Sequence, residues 1–140
     1  MLKILLALDG SANSSRATQY VITLHTHLKA MDLHLLNVQS PVSGDVKLFI
    51  NAADIERYHH DEGIKALNGA RQALDAANVT YNFHIGVGAV AQTIAQYAKQ
   101  EGIAQIVMGT RGQSAMGSFI LGSVTQSLIQ LADVPITLIK

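Results

Sequence analysis

The chain has 140 residues, enough for one domain with a substantial core, and we predict a single domain over residues 1–140. Hydrophobic residues make up 49% and charged residues 14%, which excludes a disordered chain and favours a globular protein with a large interior. Ten basic residues balance ten acidic ones and cysteine is absent, so we expect no nucleic-acid partner, no disulfide framework and no thiol chemistry.

The first apolar run has the length of a buried strand. It begins after Lys3 and is interrupted by Asp9, so only five apolar residues stand in a row. A secretory signal needs roughly 7–15 apolar residues, and a membrane-spanning helix needs about 20. We therefore expect a soluble, cytoplasmic protein that does not associate with membranes.

Five short apolar runs alternate with helical patterns along the rest of the chain. Strands are predicted over residues 3–8, 33–38, 79–85, 106–108 and 136–139. Helices are predicted through residues 17–28, over 52–77, over 89–101, and from Ser123 to a point before Pro135. Asn78 and Gly102 suit left-handed helix stops, and residues 39–51 are predicted to form a longer loop.

This alternation predicts a three-layer α/β fold with a doubly wound, five-stranded parallel sheet, because right-handed helical crossovers join parallel strands. In such Rossmann-like sheets the ligand site lies beyond the carboxyl ends of the strands, where the strand order reverses. Asp9 follows the first predicted strand and Gly109 follows the fourth. The sequence therefore predicts a crevice in which a carboxylate and a glycine-rich loop meet.

The glycine-rich segment reads GTRG at residues 109–112 and, after nine further residues, GSVT at residues 122–125. A strand that opens into glycines and then a helix N-terminus suits phosphate, because unpaired N–H groups and the helix dipole favour an anion. Ser123 and Thr125 add hydroxyl donors. However, the segment is neither a Walker loop nor a dinucleotide fingerprint. Spacing alone leaves phosphate binding and a structural turn as equal alternatives.

Other chemistry finds little support among the residues. The six histidines have no zinc-like spacing, and His34 and His84 lie in strand patterns without an obvious partner. No serine stands in a G-x-S-x-G turn. Asp9 is the one good carboxylate near the predicted crevice, whereas ATP cleavage usually needs groups that orient water and hold a cation. We expect no catalytic residues and no metal site formed by side chains.

The chain resembles the universal stress proteins, and in particular their ATP-binding branch. The branch's motif, G-2x-G-9x-G-[ST], is met by Gly109, Gly112, Gly122 and Ser123. Three further segments are similar to family sequence: LALDGS at residues 6–11, LLNV at residues 35–38 and VPI at residues 134–136. The resemblance spans the whole length and implies a fold of the adenine nucleotide alpha hydrolase-like kind.

The resemblance also implies an adenine nucleotide as ligand, namely ATP with Mg or Mn at its phosphates, or AMP or a related nucleotide. Asp9 would hold the ribose, and Ala7 and Leu8 would line the nucleoside pocket. Val38 would meet the adenine edge through its backbone. The residues at the ribose and phosphates would be Met108, Gly109, Arg111, Gly112, Gly122, Ser123, Val124 and Thr125.

The resemblance further implies a homodimer that pairs through the C-terminal strand Ile136 to Ile139. An apolar edge strand of this kind would otherwise promote aggregation. The implied function is that of a nucleotide-dependent regulatory module in the stress response, which recruits protein partners that the sequence does not name. Two alternatives stay open: a slow ATPase on the same scaffold, with at most weak hydrolysis, and an interaction module that binds no nucleotide.

Overall fold

A five-stranded parallel sheet forms the centre of the protein, in a computed structural model that describes residues 1–28, 30–111 and 121–140. The elements are, in chain order, β1 (Leu2–Ala7), α1 (Ala12–His27), β2 (Met31–Gln39), α2 (Gly44–Lys47), α3 (Ala52–Ala76), β3 (Asn82–Val87), α4 (Val90–Gln100), β4 (Gln105–Gly109), α5 (Ser123–Leu131) and β5 (Ile136–Ile139). The strand order is β3-β2-β1-β4-β5 and every pairing is parallel. The predicted doubly wound sheet is therefore confirmed.

Helices cover both faces of the sheet. Helices α1 and α3 pack together on one face, and α4 and α5 pack together on the other. Because successive side chains of a strand point to opposite faces, Ile4 and Leu6 of β1 belong to the core under α1 and α3, whereas Leu5 belongs to the core under α4 and α5. A central parallel strand is buried on both faces, which explains why β1 is apolar at every position from Ile4 to Ala7. No helix in the described parts of the chain is long and apolar enough to cross a bilayer.

The predicted third strand was wrong at its start. Residue Val79 does not belong to β3, because it closes the C-terminus of α3. Its N–H donates to the Leu74 carbonyl at 3.0 Å, and the N–H of Asn78, which has a φ of 56°, donates to the Asp75 carbonyl. This is the Schellman arrangement, in which a left-handed residue lets an apolar residue fold back on the helix. Val79 is buried for this reason, so its apolar character did not indicate a strand.

The expectation of a continuous loop after β2 also needs correction. The predicted loop over residues 39–51 contains the four-residue helix α2, which begins where the Ser43 hydroxyl accepts a bond from the Val46 N–H. A helix this short shows no periodicity in sequence.

The expectation that His34 and His84 lack a partner was wrong. The His34 Nδ1 lies 2.8 Å from the Tyr97 hydroxyl, and the His84 ring stacks on Tyr97. Burial raises the pKa of the Tyr97 phenol, helped by the nearby negative charges of Glu101 and Asp32.

Gly63 marks the place where α3 approaches β3 most closely. A Cβ added to Gly63 would lie 2.5 Å from Cγ2 of Ile85 and 2.7 Å from its Cδ1, well inside van der Waals contact. Gly69 stands in the same helix, is exposed, and would place its Cβ more than 4 Å from any neighbour. Alanine substitutions at the two glycines therefore distinguish the effect of helix propensity from the effect of overpacking.

We expect Gly63→Ala to lower the free energy of unfolding by about 1–3 kcal/mol, because the methyl group overpacks the contact with Ile85. Gly69→Ala should raise it by about 0.5–1 kcal/mol, because alanine favours the helix and nothing obstructs it. Urea denaturation of both variants measures the two changes. An equal stabilisation of both variants would contradict the close approach of α3 to β3.

Candidate functional site

The strand order reverses between β1 and β4, and the chain leaves both strands at the same edge of the sheet. The register pairs Leu6 with Val107, so β1 ends at Ala7 beside the end of β4 at Gly109. Asp9 follows β1 by two residues. Its Oδ1 accepts a bond from the Ser11 N–H at 2.9 Å, so the carboxylate also shapes the turn into α1. The fold thus brings together the predicted carboxylate and the first glycine of the predicted loop.

The segment after β1 is held against β2 by a buried amide. Asn37 Nδ2 donates to the Leu8 carbonyl at 2.8 Å, and the Leu8 N–H donates to the Leu36 carbonyl at 2.9 Å. The side chains of Ala7 and Leu8 are buried in the two core layers. These two residues can therefore line a ligand pocket mainly through their backbone. Val38 is half-buried near the same edge of the sheet.

We call the segment from Gly109 to Gly122 the glycine loop; Gly112, one of its predicted site residues, lies outside the described residues. The two ends of the loop meet, because the Gly122 N–H donates to the Thr110 carbonyl at 2.8 Å. The Thr110 N–H in turn donates to the Ile139 carbonyl at the end of β5. Arg111 follows directly, at the mouth of the loop. Met108 is buried in the core beneath it.

Helix α5 begins at the end of this loop with a glycine cap. Gly122 is the N-cap, with φ −65° and ψ 159°, and Ser123 is the first helical residue. Since glycine has no side-chain oxygen, the cap residue offers the first-turn N–H groups no side-chain acceptor and only its backbone carbonyl, which accepts from the Gln126 N–H at 3.0 Å. Together with the helix dipole this produces a place where an anion is favoured, and the exposed Ser123 hydroxyl lies beside it.

Thr125 has a structural bond that its sequence position did not reveal. Its side chain is buried, and its hydroxyl lies 3.3 Å from the Gly109 carbonyl and 3.4 Å from the Thr110 carbonyl. The hydroxyl therefore ties the first turn of α5 to the end of β4. If Thr125 meets a ligand while this bond is kept, its backbone N–H is the group that can donate. Val124, beside it, packs against the core under α4 and α5.

Asn13 is the residue of this region that sequence reasoning missed. It is buried in the first turn of α1, its Nδ2 donates to the Ile139 carbonyl, and its Oδ1 accepts from the Arg111 N–H, both at 2.8 Å. A sequence signal did exist. Asn13 stands four and eight residues before Ala17 and Val21 on the buried face of α1, and a polar residue in such a stripe needs a partner.

The structure is a doubly wound α/β protein. Its helix α5, capped by a glycine, begins near the point where the strand order reverses. The Universal stress protein family matches residues 1–140, and the chain belongs to that family. Universal stress protein YxiE of Bacillus subtilis is 30% identical over 148 residues, with 99% of this chain and 98% of that protein covered.

Solved structures show the same fold. The structure of protein MJ0577, from Methanocaldococcus jannaschii, superposes with a TM-score of 0.83 and 26% identity, covering 99% of this chain and 94% of that one. The universal stress protein from Archaeoglobus fulgidus in complex with dAMP superposes with a TM-score of 0.73 and 20% identity, covering 100% of this chain and 98% of that one.

Replacing Thr125 tests the bond that fastens α5 to the end of β4. We expect Thr125→Val, which keeps the shape and removes the hydroxyl, to lower the free energy of unfolding by about 1 kcal/mol. Thr125→Ser keeps the hydroxyl and should lose only the packing of one methyl group. Chemical denaturation compares the two variants. A Val variant as stable as the wild type would show that these long hydrogen bonds contribute nothing.

Proposed function

We propose that the protein binds ATP, with Mg or Mn at the phosphates, in the crevice beyond the carboxyl ends of β1 and β4. The observation that carries the proposal is the glycine-capped N-terminus of α5, which opens where the strand order reverses and is tied to the end of β4 by Thr125. Such a helix N-terminus favours phosphate. The dAMP complex of the A. fulgidus protein supports an adenine nucleotide as the ligand class, and AMP or a relative fits the same reasoning.

In this proposal, residues at the ends of β1 and β2 bind the nucleoside part of the ligand. Asp9 would accept hydrogen bonds from the ribose hydroxyls, because a carboxylate has several acceptor sites and the Ser11 N–H places this one at the end of β1. Backbone groups near Val38 would meet the adenine edge. Ala7 and Leu8 would form the wall through their backbone, because their side chains are buried in the core.

In the same proposal, the glycine loop and the N-terminus of α5 bind the phosphates. N–H groups of the first turn would donate to phosphate oxygens, Ser123 would add an exposed hydroxyl, and the guanidinium of Arg111 would offset charge. Met108 and Gly109 would pass beneath the ribose and α-phosphate. The remaining predicted contacts in this half are Gly112, Gly122, Val124 and Thr125.

For the role of the protein we propose a cytoplasmic regulatory module in the stress response, whose bound nucleotide governs the recruitment of protein partners. A homodimer through β5 belongs to this proposal. Within the described residues, β5 pairs with β4 on one side and with no strand on the other. Apolar Ile129 and Leu131 of α5, close to β5 in the chain, are 50% and 44% exposed. An apolar edge of this kind is suited to pairing with a second copy.

Calorimetric titration with ATP and Mg²⁺ tests nucleotide binding, with Gly122→Val as the matched control. Valine can adopt the φ and ψ of Gly122, so the variant should fold, while its side chain narrows the approach to the first turn of α5. We expect the wild type to bind and the variant to lose at least about tenfold in affinity, equivalent to about 1.4 kcal/mol. The proposal fails if nucleotide-free wild-type protein shows no heat of binding with ATP, AMP or dAMP.

The dimer is tested with prolines placed at the two edges of the sheet. The carbonyls of Pro135 and Ile139 accept bonds from the N–H groups of Ile106 and Thr110 on the side of β4, so by alternation the N–H of Leu138 points to the outer edge. Leu138→Pro should convert a dimer into a monomer, because it removes a donor from that edge. Val87→Pro alters the opposite edge, at β3, and should leave the dimer intact. Sedimentation equilibrium decides, and a wild type that is monomeric at high concentration would overturn this part of the proposal.

A further inference from the structure

The buried carboxamide of Asn13 joins three segments that are far apart in sequence. It lies in the first turn of α1 and bonds both to the end of β5, at Ile139, and to the start of the glycine loop, at Arg111. We propose that Asn13 is a positioning residue for the nucleotide site, which fixes the backbone of residues 109–111 so that the phosphates meet α5. This inference rests on the proposed function, since it assigns a residue to the architecture of that same site.

The hydrogen bonds define one orientation of the carboxamide. Nδ2 donates to the Ile139 carbonyl at 2.8 Å and Oδ1 accepts from the Arg111 N–H at 2.8 Å. The Thr110 N–H shares the Ile139 carbonyl at 2.9 Å. Turning the amide over would set N–H against N–H and oxygen against oxygen. Asn13 is 5% exposed, so water does not easily replace it, and a shorter or apolar side chain would remove the acceptor that the Arg111 N–H has here and one of the two donors to the Ile139 carbonyl.

The same side chain explains the first glycine of the loop. Gly109 is the last residue of strand β4, where extended backbone suits any residue. A Cβ on Gly109, however, would collide with Oδ1 of Asn13 and lie 2.7 Å from its Cγ. The glycine is therefore required by the approach of Asn13, whether or not a phosphate is bound. Asn13 and Gly109 act as one packed pair.

The backbone of residues 109–111 is thus held from two sides. Asn13 of α1 accepts a hydrogen bond from the Arg111 N–H. On the other side, the Thr125 hydroxyl of α5 donates to the Gly109 and Thr110 carbonyls. Because the Arg111 N–H is committed to Asn13, it is not a phosphate donor in this arrangement. The backbone of residues 109–111 determines where the loop starts relative to α5, and Asn13 fixes the position of this backbone.

Asn13→Ala tests the inference, with Val21→Ala as the matched control. Val21 is fully buried on the same face of α1 and belongs to the core under α1 and α3, away from the loop. Both variants lose buried contacts and stability, but only Asn13→Ala releases residues 109–111. In calorimetry with ATP and Mg²⁺, at a temperature where circular dichroism shows every variant folded, we expect Asn13→Ala to bind about tenfold more weakly and Val21→Ala to bind as the wild type does.

Two further readouts separate positioning from stability. Hydrogen exchange of the Arg111 amide, measured without nucleotide, should accelerate in Asn13→Ala and stay slow in Val21→Ala. Gly109→Ala should weaken ATP binding in the wild-type background and have a smaller added effect in the Asn13→Ala background, where the contacts with Oδ1 and Cγ are gone and only the Cβ at 3.3 Å remains. Each of these results supports the Asn13–Gly109 pair as the element that places the loop.

The outcomes distinguish this inference from the proposed function. If the wild type binds ATP and Asn13→Ala binds equally well, the inference is overturned and the proposed function stands. If Asn13→Ala and Val21→Ala lose the same affinity, Asn13 acts only through stability and the inference is again overturned. If the wild type itself binds no adenine nucleotide, the proposed function falls, and the positioning role falls with it.

Discussion

The burial of β1 on both faces is the constraint on which the rest of the structure depends. Ile4, Leu5 and Leu6 are all inaccessible to solvent, with β2 and β4 as neighbours on either side. A strand placed in this way needs helices above and below it, which requires the chain to wind in both directions from the centre. Winding in both directions places the strand-order switch between β1 and β4, so Asp9 and Gly109 stand at the ends of neighbouring strands on the same edge of the sheet.

The glycines of the loop serve different physical purposes although they form one motif in the sequence. Gly109 lies in extended backbone and is needed because Asn13 occupies the space of a side chain. Gly122 caps α5 with no side-chain oxygen, and a helix N-terminus with such a cap favours an anion. The two reasons are a packing contact within the fold and an opening for a ligand. A pattern of glycines alone cannot separate them, which is why phosphate binding and a structural turn were equal alternatives at the level of spacing.

Hydrogen-bond donors and one carboxylate lie near the ends of β1 and β4 in the part of the chain that the structure describes. Donors dominate: the first turn of α5, the Ser123 hydroxyl and the Arg111 guanidinium, with Asp9 as the nearby carboxylate. Within the described ranges no three His, Asp or Glu side chains are grouped so that they could hold a metal ion.

The sequence by itself determined the parallel α/β sheet, the start of α5 at Ser123 and the placement of Asp9 and Gly109 at strand ends, because periodicity and strand ends are local properties. It misplaced the start of β3, since the burial of Val79 arises from a helix stop rather than a strand. Only the tertiary structure decided that Thr125 bonds to β4 and that Asn13 joins α1, β5 and the glycine loop. Those bonds connect residues about 15 to 126 positions apart, and hydrogen-bond partners at such separations depend on how the strands are ordered in space.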